Sequence, residues 1–182
     1  MNRQENIDSA LSGYRVLDLT DEKGMLCSRL LADMGADVIR IETPAEDSPH
    51  SYLNAGKRSL SLKLESNQGK EIFKRLIKTA DVVVESYQPG FLEALGLDYP
   101  KLSEINPRLI MASITDFGQS GPYRDYKSCD MVASALGGQM YVCGEPETPP
   151  LKPFGNQAYY SASLFAAIGI LLALLVRSAR DG

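Results

Sequence analysis

Apolar and polar side chains recur along the chain with two different periods, that of a strand and that of a helix. Segment 59–64 alternates strictly between polar and apolar residues, which predicts a half-exposed strand. Run 82–84 is continuously apolar, as strands buried on both faces are. In all, the pattern predicts strands over residues 14–19, 37–42, 59–64, 82–84 and 109–114. It predicts helices over residues 26–34, 66–79, 91–95, 99–105, 130–139 and 159–180, with Ser66 capping the second.

The order of these elements predicts the fold class. Residues 14–42 form a β-α-β unit with a short crossover helix, and strands continue to alternate with helices beyond it. We therefore expect an α/β fold with a Rossmann-like, mostly parallel sheet flanked by helices and ending in a long apolar helix. Residues 1–12 are predicted to be a flexible N-terminus, and residues 13–182 to form one domain. Segment 43–58 is predicted to be a polar loop, and segment 145–154, with four prolines, an irregular one.

The most apolar stretch, residues 164–176, has no polar side chain. A helix that spans a membrane needs about 20 apolar residues, so this shorter stretch is predicted to be a buried core helix. The first residues are polar and show no signal peptide. These observations predict a cytoplasmic protein without a membrane partner.

Charge and cysteine content exclude several classes of function. The net charge is −4, and the basic residues of the chain are scattered among acidic ones, which argues against a nucleic-acid partner. Cys27, Cys129 and Cys143 are widely spaced, and His50 is the single histidine. This pattern predicts no metal site and no disulfide framework, but free, buried thiols in a reducing compartment. The first loop, residues 20–24, lacks the glycines of a dinucleotide-binding turn.

Six stretches in a fixed order carry a family resemblance. They are residues 15–20, 30–42, 54–59, 80–85, 106–110 and 117–123. With them the chain resembles the N-terminal half of the class III CoA-transferases, the family of formyl-CoA transferase, carnitine CoA-transferase and α-methylacyl-CoA racemase. The resemblance implies coenzyme A or acyl-CoA as ligand, a small carboxylic acid as second substrate, and a dimer. We expect the family's second domain to be absent from this sequence, and we interpret the sequence as either a fragment or a shortened subunit.

Candidate ligand contacts follow from this resemblance. It matches Lys57 and Lys127 to positions that contact CoA in the family, and Tyr87 to a phenylalanine near the same ligand. CoA carries phosphates that require basic side chains, which Lys57, Arg58 and Lys127 could supply from loops. Without the resemblance, the pair Lys57 and Arg58 would be interpreted as solvated loop charge.

The resemblance fails at the residues that carry the chemistry. Family transferases use an Asp that forms an acyl anhydride and then an aspartyl-CoA thioester, and the matching position here is Tyr159. The racemase branch uses a His and the same Asp, and the His position is Cys129. Ala94 replaces an Arg that some members use for CoA phosphate, and Asp130 is predicted to cap the helix that follows it. We therefore assign no catalytic residue; Tyr159 either packs at the start of its helix, fills the space of the missing carboxylate or donates a hydrogen bond to a substrate.

Three functions remain open. The chain resembles the non-catalytic subunit of heterodimeric members such as benzylsuccinate CoA-transferase, in which a homologous subunit bears the Asp. Alternatively, it is an active transferase with an atypical nucleophile. The third reading is a non-enzymatic acyl-CoA-binding scaffold.

Overall fold

The computed structural model describes residues 9–43 and 51–181. The strands are β1 Arg15–Leu19, β2 Asp37–Glu42, β3 Arg58–Ser61, β4 Val82–Glu85 and β5 Ile110–Ser113. The helices are α1 Met25–Asp33, α2 Ser51–Asn54, α3 Asn67–Ile77, α4 Phe91–Leu95, α5 Tyr99–Ile105, α6 Asp130–Leu136 and α7 Gln157–Asp181. A 3₁₀ turn, Met140–Val142, lies between α6 and α7.

The five strands form one parallel sheet in the order β3-β2-β1-β4-β5. The predicted Rossmann-like α/β fold with a long C-terminal helix is therefore confirmed. From β1 the chain first builds outward through β2 and β3, then crosses back to β4 on the other side. This reversal leaves a crevice at the carboxyl ends of β1 and β4, where open parallel sheets bind ligands.

Each face of the sheet carries its own hydrophobic cluster. Alternate residues of β1 face opposite ways, so that Leu17 belongs to one cluster and Val16 to the other. Helices α3, α4 and α5 cover the first face, with Phe73 fully buried in its centre. Helices α1 and α7 cover the second face, where Leu31 and Ile170 are buried. The continuously apolar strand β4 is buried throughout because it packs between these two layers.

Helix α7 differs from its prediction as a buried core helix. Ala167, Ile170 and Leu174 are buried, but Phe165 on another face is 76% exposed. The prediction was wrong because only one stripe of this helix meets the sheet and α1. By length and composition alone, residues 157–180 of the described chain could cross a membrane, which is weak evidence because core helices of soluble proteins pass the same test.

Two smaller differences concern segments expected to lack structure. Helix α2 lies within the predicted loop 43–58. Residues 44–50 of this loop, which include His50, lie outside the described residues. Residues 9–12 of the predicted flexible N-terminus are described, and Leu11 is buried there with its N–H donating to Met34 O at 2.9 Å. Ser66 caps α3 as predicted, since its Oγ accepts the Gly69 N–H at 2.9 Å.

Candidate functional site

The loops that follow β1 and β4 meet at the carboxyl end of the sheet. The Asp21 N–H donates to Ser86 Oγ at 2.7 Å, and Ser86 Oγ–H donates to Asp21 Oδ1 at 2.9 Å. The Lys23 ammonium contacts the other oxygen of the same carboxylate at 2.5 Å. These contacts join the loops after β1 and β4 at the end of the sheet where open parallel sheets bind ligands.

A cleft of about 320 Å³ opens beside these joined loops. Its lining combines aliphatic side chains, hydroxyl groups and one aromatic ring: Leu19, Ile41, Leu62, Leu64, Thr20, Thr43, Ser86 and Tyr87. The described charged residues on its lining are Asp21 and Glu65, both acidic. Apolar walls with a few polar groups are typical of a small-molecule site, but this lining supplies no cation for a phosphate.

Tyr87 reaches this cleft from the loop after β4. Its ring stacks on Phe91 with centroids 4.5 Å apart, and its backbone N–H donates to Glu85 Oε2 at 2.8 Å. Glu85 is buried, and burial raises the pKa of its carboxyl above the usual value. The aromatic ring is thus held by its neighbours on the lining of the cleft, and its contact with a ligand stays a prediction.

Lys57 lies inside the protein rather than at its surface. Its side chain is 1% exposed, and Nζ lies 2.8 Å from Asp18 Oδ2. The ammonium also donates to Met25 O at 3.0 Å and Asn54 Oδ1 at 3.2 Å. All three N–H donors of the ammonium therefore have protein acceptors.

Arg58 lies at the other end of the sheet from the cleft. It is the first residue of β3, and its Nε lies 3.0 Å from Asp37 Oδ1 at the start of β2. Because the strands are parallel, both residues lie at the amino end of the sheet. The structure therefore does not bring Arg58 together with Tyr87.

Lys127 is exposed in the segment between β5 and α6. This segment leaves the carboxyl end of the sheet and is fixed near Lys127 by the Ser128 N–H, which donates to Asp116 Oδ2 at 3.1 Å. Of the four predicted contacts, Tyr87 lines the cleft and Lys127 belongs to a loop at the same end of the sheet.

Tyr159 lies in the first turn of α7 and is held there by Asp130. Its backbone N–H donates to Asp130 Oδ1 at 3.1 Å. Burial raises the pKa of the phenol to about 12, and the nearby charges of Asp116 and Asp21 add to the shift. The phenol therefore stays protonated at neutral pH and offers a weak nucleophile.

Asp130 makes contacts that the sequence did not reveal. The prediction that it caps α6 is wrong, because its carboxylate turns to the start of α7 and to Lys152, whose Nζ lies 2.9 Å from Oδ2. Lys152 also donates to the carbonyl oxygens of Pro153 and Gly155. No sequence signal marks this pair, since Lys152 lies in a proline-rich segment without a helical or strand period.

The three cysteines are free, as predicted, but they are not all buried. Cys27 is buried, Cys143 is half-buried and Cys129 is exposed at the start of α6. The prediction of buried thiols was wrong for Cys129 because the segment before α6 runs along the surface. Within residues 9–43 and 51–181, no three His, Cys, Asp or Glu side chains are grouped closely enough to hold a metal ion.

Comparisons with known proteins place this geometry in a family. The profile of CoA-transferase family III matches residues 11–182. A subunit of succinyl-CoA:(R)-benzylsuccinate CoA-transferase from Thauera aromatica is 39% identical over 181 residues, which is 90% of this chain and 44% of that protein. Formyl-CoA:oxalate CoA-transferase from Streptomyces avermitilis is 38% identical over 183 residues, 92% of this chain and 44% of that enzyme.

A solved structure extends the likeness to three dimensions. The crystal structure of a CAIB/BAIF family protein from Brucella suis superposes with a TM-score of 0.91 at 34% identity, covering 96% of this chain and 51% of that one. The chain thus spans about half the length of the relatives that it matches. With a profile match over nearly its whole length, the chain belongs to CoA-transferase family III.

Proposed function

We propose that this chain takes part in the transfer of CoA between an acyl-CoA and a carboxylic acid, as a subunit that lacks the nucleophile. The observation that carries the proposal is Tyr159, which stands at the start of α7 where the family resemblance expects an aspartate. Its phenol has a pKa of about 12 and cannot replace a carboxylate at neutral pH. The catalytic aspartate then belongs to a second, homologous chain.

The cleft beside β1 and β4 is the proposed site for CoA. Its aliphatic side chains and the ring of Tyr87 suit a nucleobase, and the Thr43 hydroxyl offers a hydrogen bond, whereas the Thr20 hydroxyl already donates to Asp18. Asp21 and Glu65 on the lining oppose a phosphate there, so the phosphates point outward toward loop cations. Lys127 is the proposed cation because it is exposed in a loop at this end of the sheet.

The relatives support a role in a two-chain enzyme. The Thauera protein is itself named as a subunit of a CoA-transferase. In such an enzyme one chain can keep the CoA-transferase fold without supplying the attacking group. The assembled enzyme is soluble and cytoplasmic in this proposal, and it uses no metal.

The test is to assay the full chain with and without a homologous chain that has Asp at the position of Tyr159. Succinyl-CoA and formyl-CoA serve as donors, with a panel of isotope-labelled carboxylates as acceptors. We expect no transfer by the chain alone and transfer by the mixture. A Tyr159→Phe variant is the matched control and should leave the activity of the mixture unchanged, since the phenol supplies no chemistry.

Other outcomes identify the alternatives. Transfer by the lone chain that is lost in Tyr159→Phe or Asp130→Asn would establish an active transferase with an atypical nucleophile. Binding of CoA without activity beside any Asp-bearing homologue would indicate an acyl-CoA-binding scaffold. Mass spectrometry separates the first case directly, because an atypical nucleophile would leave a covalent acyl or CoA adduct on this chain.

A further inference from the structure

Asp18 is the centre of a buried polar cluster at the end of β1. The residue is 0% exposed, and four donors share its two carboxylate oxygens. Oδ1 accepts the Thr20 N–H at 3.0 Å and the Thr20 hydroxyl at 2.6 Å. Oδ2 accepts Ser28 Oγ–H at 2.7 Å and the Lys57 ammonium at 2.8 Å. A buried carboxylate with this many donors is fully satisfied only when every one of them is present.

Lys57 is the nearest positive charge in this cluster. Arg40 is the second cation, but its guanidinium lies 3.7 Å from Asp18 and donates to Thr20 O at 3.0 Å and Glu42 at 2.9 Å. Burial lowers the pKa of the Lys57 ammonium, and Asp18 opposes that shift by favouring the charged form. Without Lys57, the charge of Asp18 would be buried with Arg40 as its remaining described counter-ion, 3.7 Å away and bound to Thr20 and Glu42.

The cluster holds the first residue of a loop that lines the cleft. Asp18 binds Thr20 through its N–H and hydroxyl, while Arg40 binds its carbonyl oxygen. The loop then closes tightly, since a Cβ added at Gly24 would lie 2.5 Å from Thr20 Cγ2. Lys57 reaches the far side of the same loop by donating to Met25 O, at the start of α1.

We propose that Lys57 is a positioning residue, which holds the loop 20–24 in the shape that lines the cleft and does not itself bind a phosphate. The proposal rests on the proposed function only for the identity of the ligand. Its physical basis is the arrangement of one ammonium against three protein acceptors, in a side chain that is 1% exposed. A phosphate could reach this ammonium only by displacing those acceptors and opening the loop.

The first experiment measures hydrogen–deuterium exchange of the ligand-free full chain. Lys57→Met removes the ammonium, and Lys57→Arg keeps the charge but cannot place a planar guanidinium on the three acceptors. We expect the amides of residues 20–24 to exchange about tenfold faster or more in both variants, with the β4 amides unchanged. Arg58→Met is the matched control, because its side chain is 64% exposed and bound at the opposite end of the sheet.

The contrary result is equally clear. A lysine that serves only to bind phosphate leaves the ligand-free loop as it was, so wild-type exchange in both Lys57 variants would overturn the proposal. Should Lys57→Met fail to fold, Lys57→Arg and Asn54→Ala, which removes one acceptor of the ammonium, give the same comparison.

A second experiment compares the affinities for CoA and 3′-dephospho-CoA by calorimetry. If Lys57 is a positioning residue, Lys57→Arg should weaken the binding of both ligands by the same factor. If Lys57 contacts the 3′-phosphate, the arginine should either leave both affinities unchanged, because it keeps the positive charge, or weaken the binding of CoA alone. A loss of affinity for CoA alone would overturn the proposal. If the wild-type chain binds neither ligand, the proposed function fails, and the exchange experiment still decides the role of Lys57.

Discussion

The backbone N–H of Tyr159 donates to Asp130 Oδ1 at 3.1 Å, so a carboxylate from the start of α6 fixes the first turn of α7. The first N–H groups of a helix have no partner within the helix and need an acceptor from elsewhere. Lys152 lies 2.9 Å from the other oxygen and compensates its charge. Asp130 thereby joins α6, the proline-rich segment and α7 at one point.

Removing this carboxylate should destabilise the chain. Asp130→Ala leaves the Tyr159 N–H without its acceptor and the Lys152 ammonium without its counter-ion, and we expect a loss of about 2 kcal/mol in the free energy of unfolding. Urea denaturation followed by circular dichroism measures it. Asp125→Ala is the control, since that side chain is 85% exposed and 3.7 Å from Arg124; an equal loss there would contradict the role of Asp130.

The phenol of Tyr159 should ionise later than an ordinary tyrosine. Its pKa is raised to about 12 by burial first and then by neighbouring carboxylates, while the unfolded chain ionises near ~10. The resulting stabilisation is complete below about pH 10 and is lost as the pH rises toward 12, because the unfolded state releases its proton first. The difference in ultraviolet absorbance between wild type and Tyr159→Phe, titrated from pH 9 upward, measures it. A midpoint near 10 would contradict the environment described.

Two glycines in helices should respond oppositely to alanine. A Cβ on Gly69, in the first turn of α3, would lie 1.9 Å from Lys63 O, so we expect Gly69→Ala to cost about 3 kcal/mol. Gly169 in α7 has no atom within 4 Å of an added Cβ, and Gly169→Ala should stabilise by about 0.5–1 kcal/mol. Chemical denaturation of both variants tests the pair, and a neutral Gly69→Ala would show that α3 can shift away from Lys63.

The cysteines should differ in reactivity toward a thiol reagent. Cys27 is buried, and burial raises the pKa of its thiol to about 12, so it should react with Ellman's reagent only after unfolding. Exposed Cys129 should react first in the folded chain. The number of protein thiols that react is counted with and without urea. The same count on a Cys129→Ser variant shows whether Cys129 accounts for the fast phase of the reaction in the folded chain. A fast phase that survives this substitution would contradict the assignment.

The sheet could be predicted from sequence because its signals are local. Alternation in β3 and the continuous apolar run of β4 depend only on whether a strand has one buried face or two. Burial of α7 could not be predicted in the same way, because its apolar side chains surround the helix and only packing decides which stripe is covered. The composition of a helix shows which side chains it carries but not which of them pack against other elements.

The candidate site shows the same limit for charges. Lys57 and Arg58 are adjacent in sequence and were interpreted alike. In the structure the Lys57 ammonium is buried against Asp18, whereas the Arg58 guanidinium binds Asp37 at the amino end of the sheet. Lys57 precedes β3 and Arg58 begins it, and the partners of both side chains come from residues distant in sequence. The place of Tyr87 at the carboxyl end of the sheet could be foreseen because it follows β4 directly, whereas its role as a ligand contact rests on the family resemblance and stays a prediction.

The cover that α7 gives to the second face of the sheet has a consequence for how the chain is made on the ribosome. The first hydrophobic cluster uses residues up to Met111, so it can form while later residues are still being added. The second cluster needs Ala167, Ile170 and Leu174, which are synthesised only after all five strands. Until then the second hydrophobic cluster of the nascent chain is exposed to solvent. We therefore expect a chain that ends at residue 156 to be bound by chaperones and degraded, although its sheet is complete. Pulse–chase labelling of the 182-residue chain and of the chain that ends at residue 156 measures their lifetimes in the cell. Equal lifetimes would mean that one covered face of the sheet is sufficient to protect the chain from degradation.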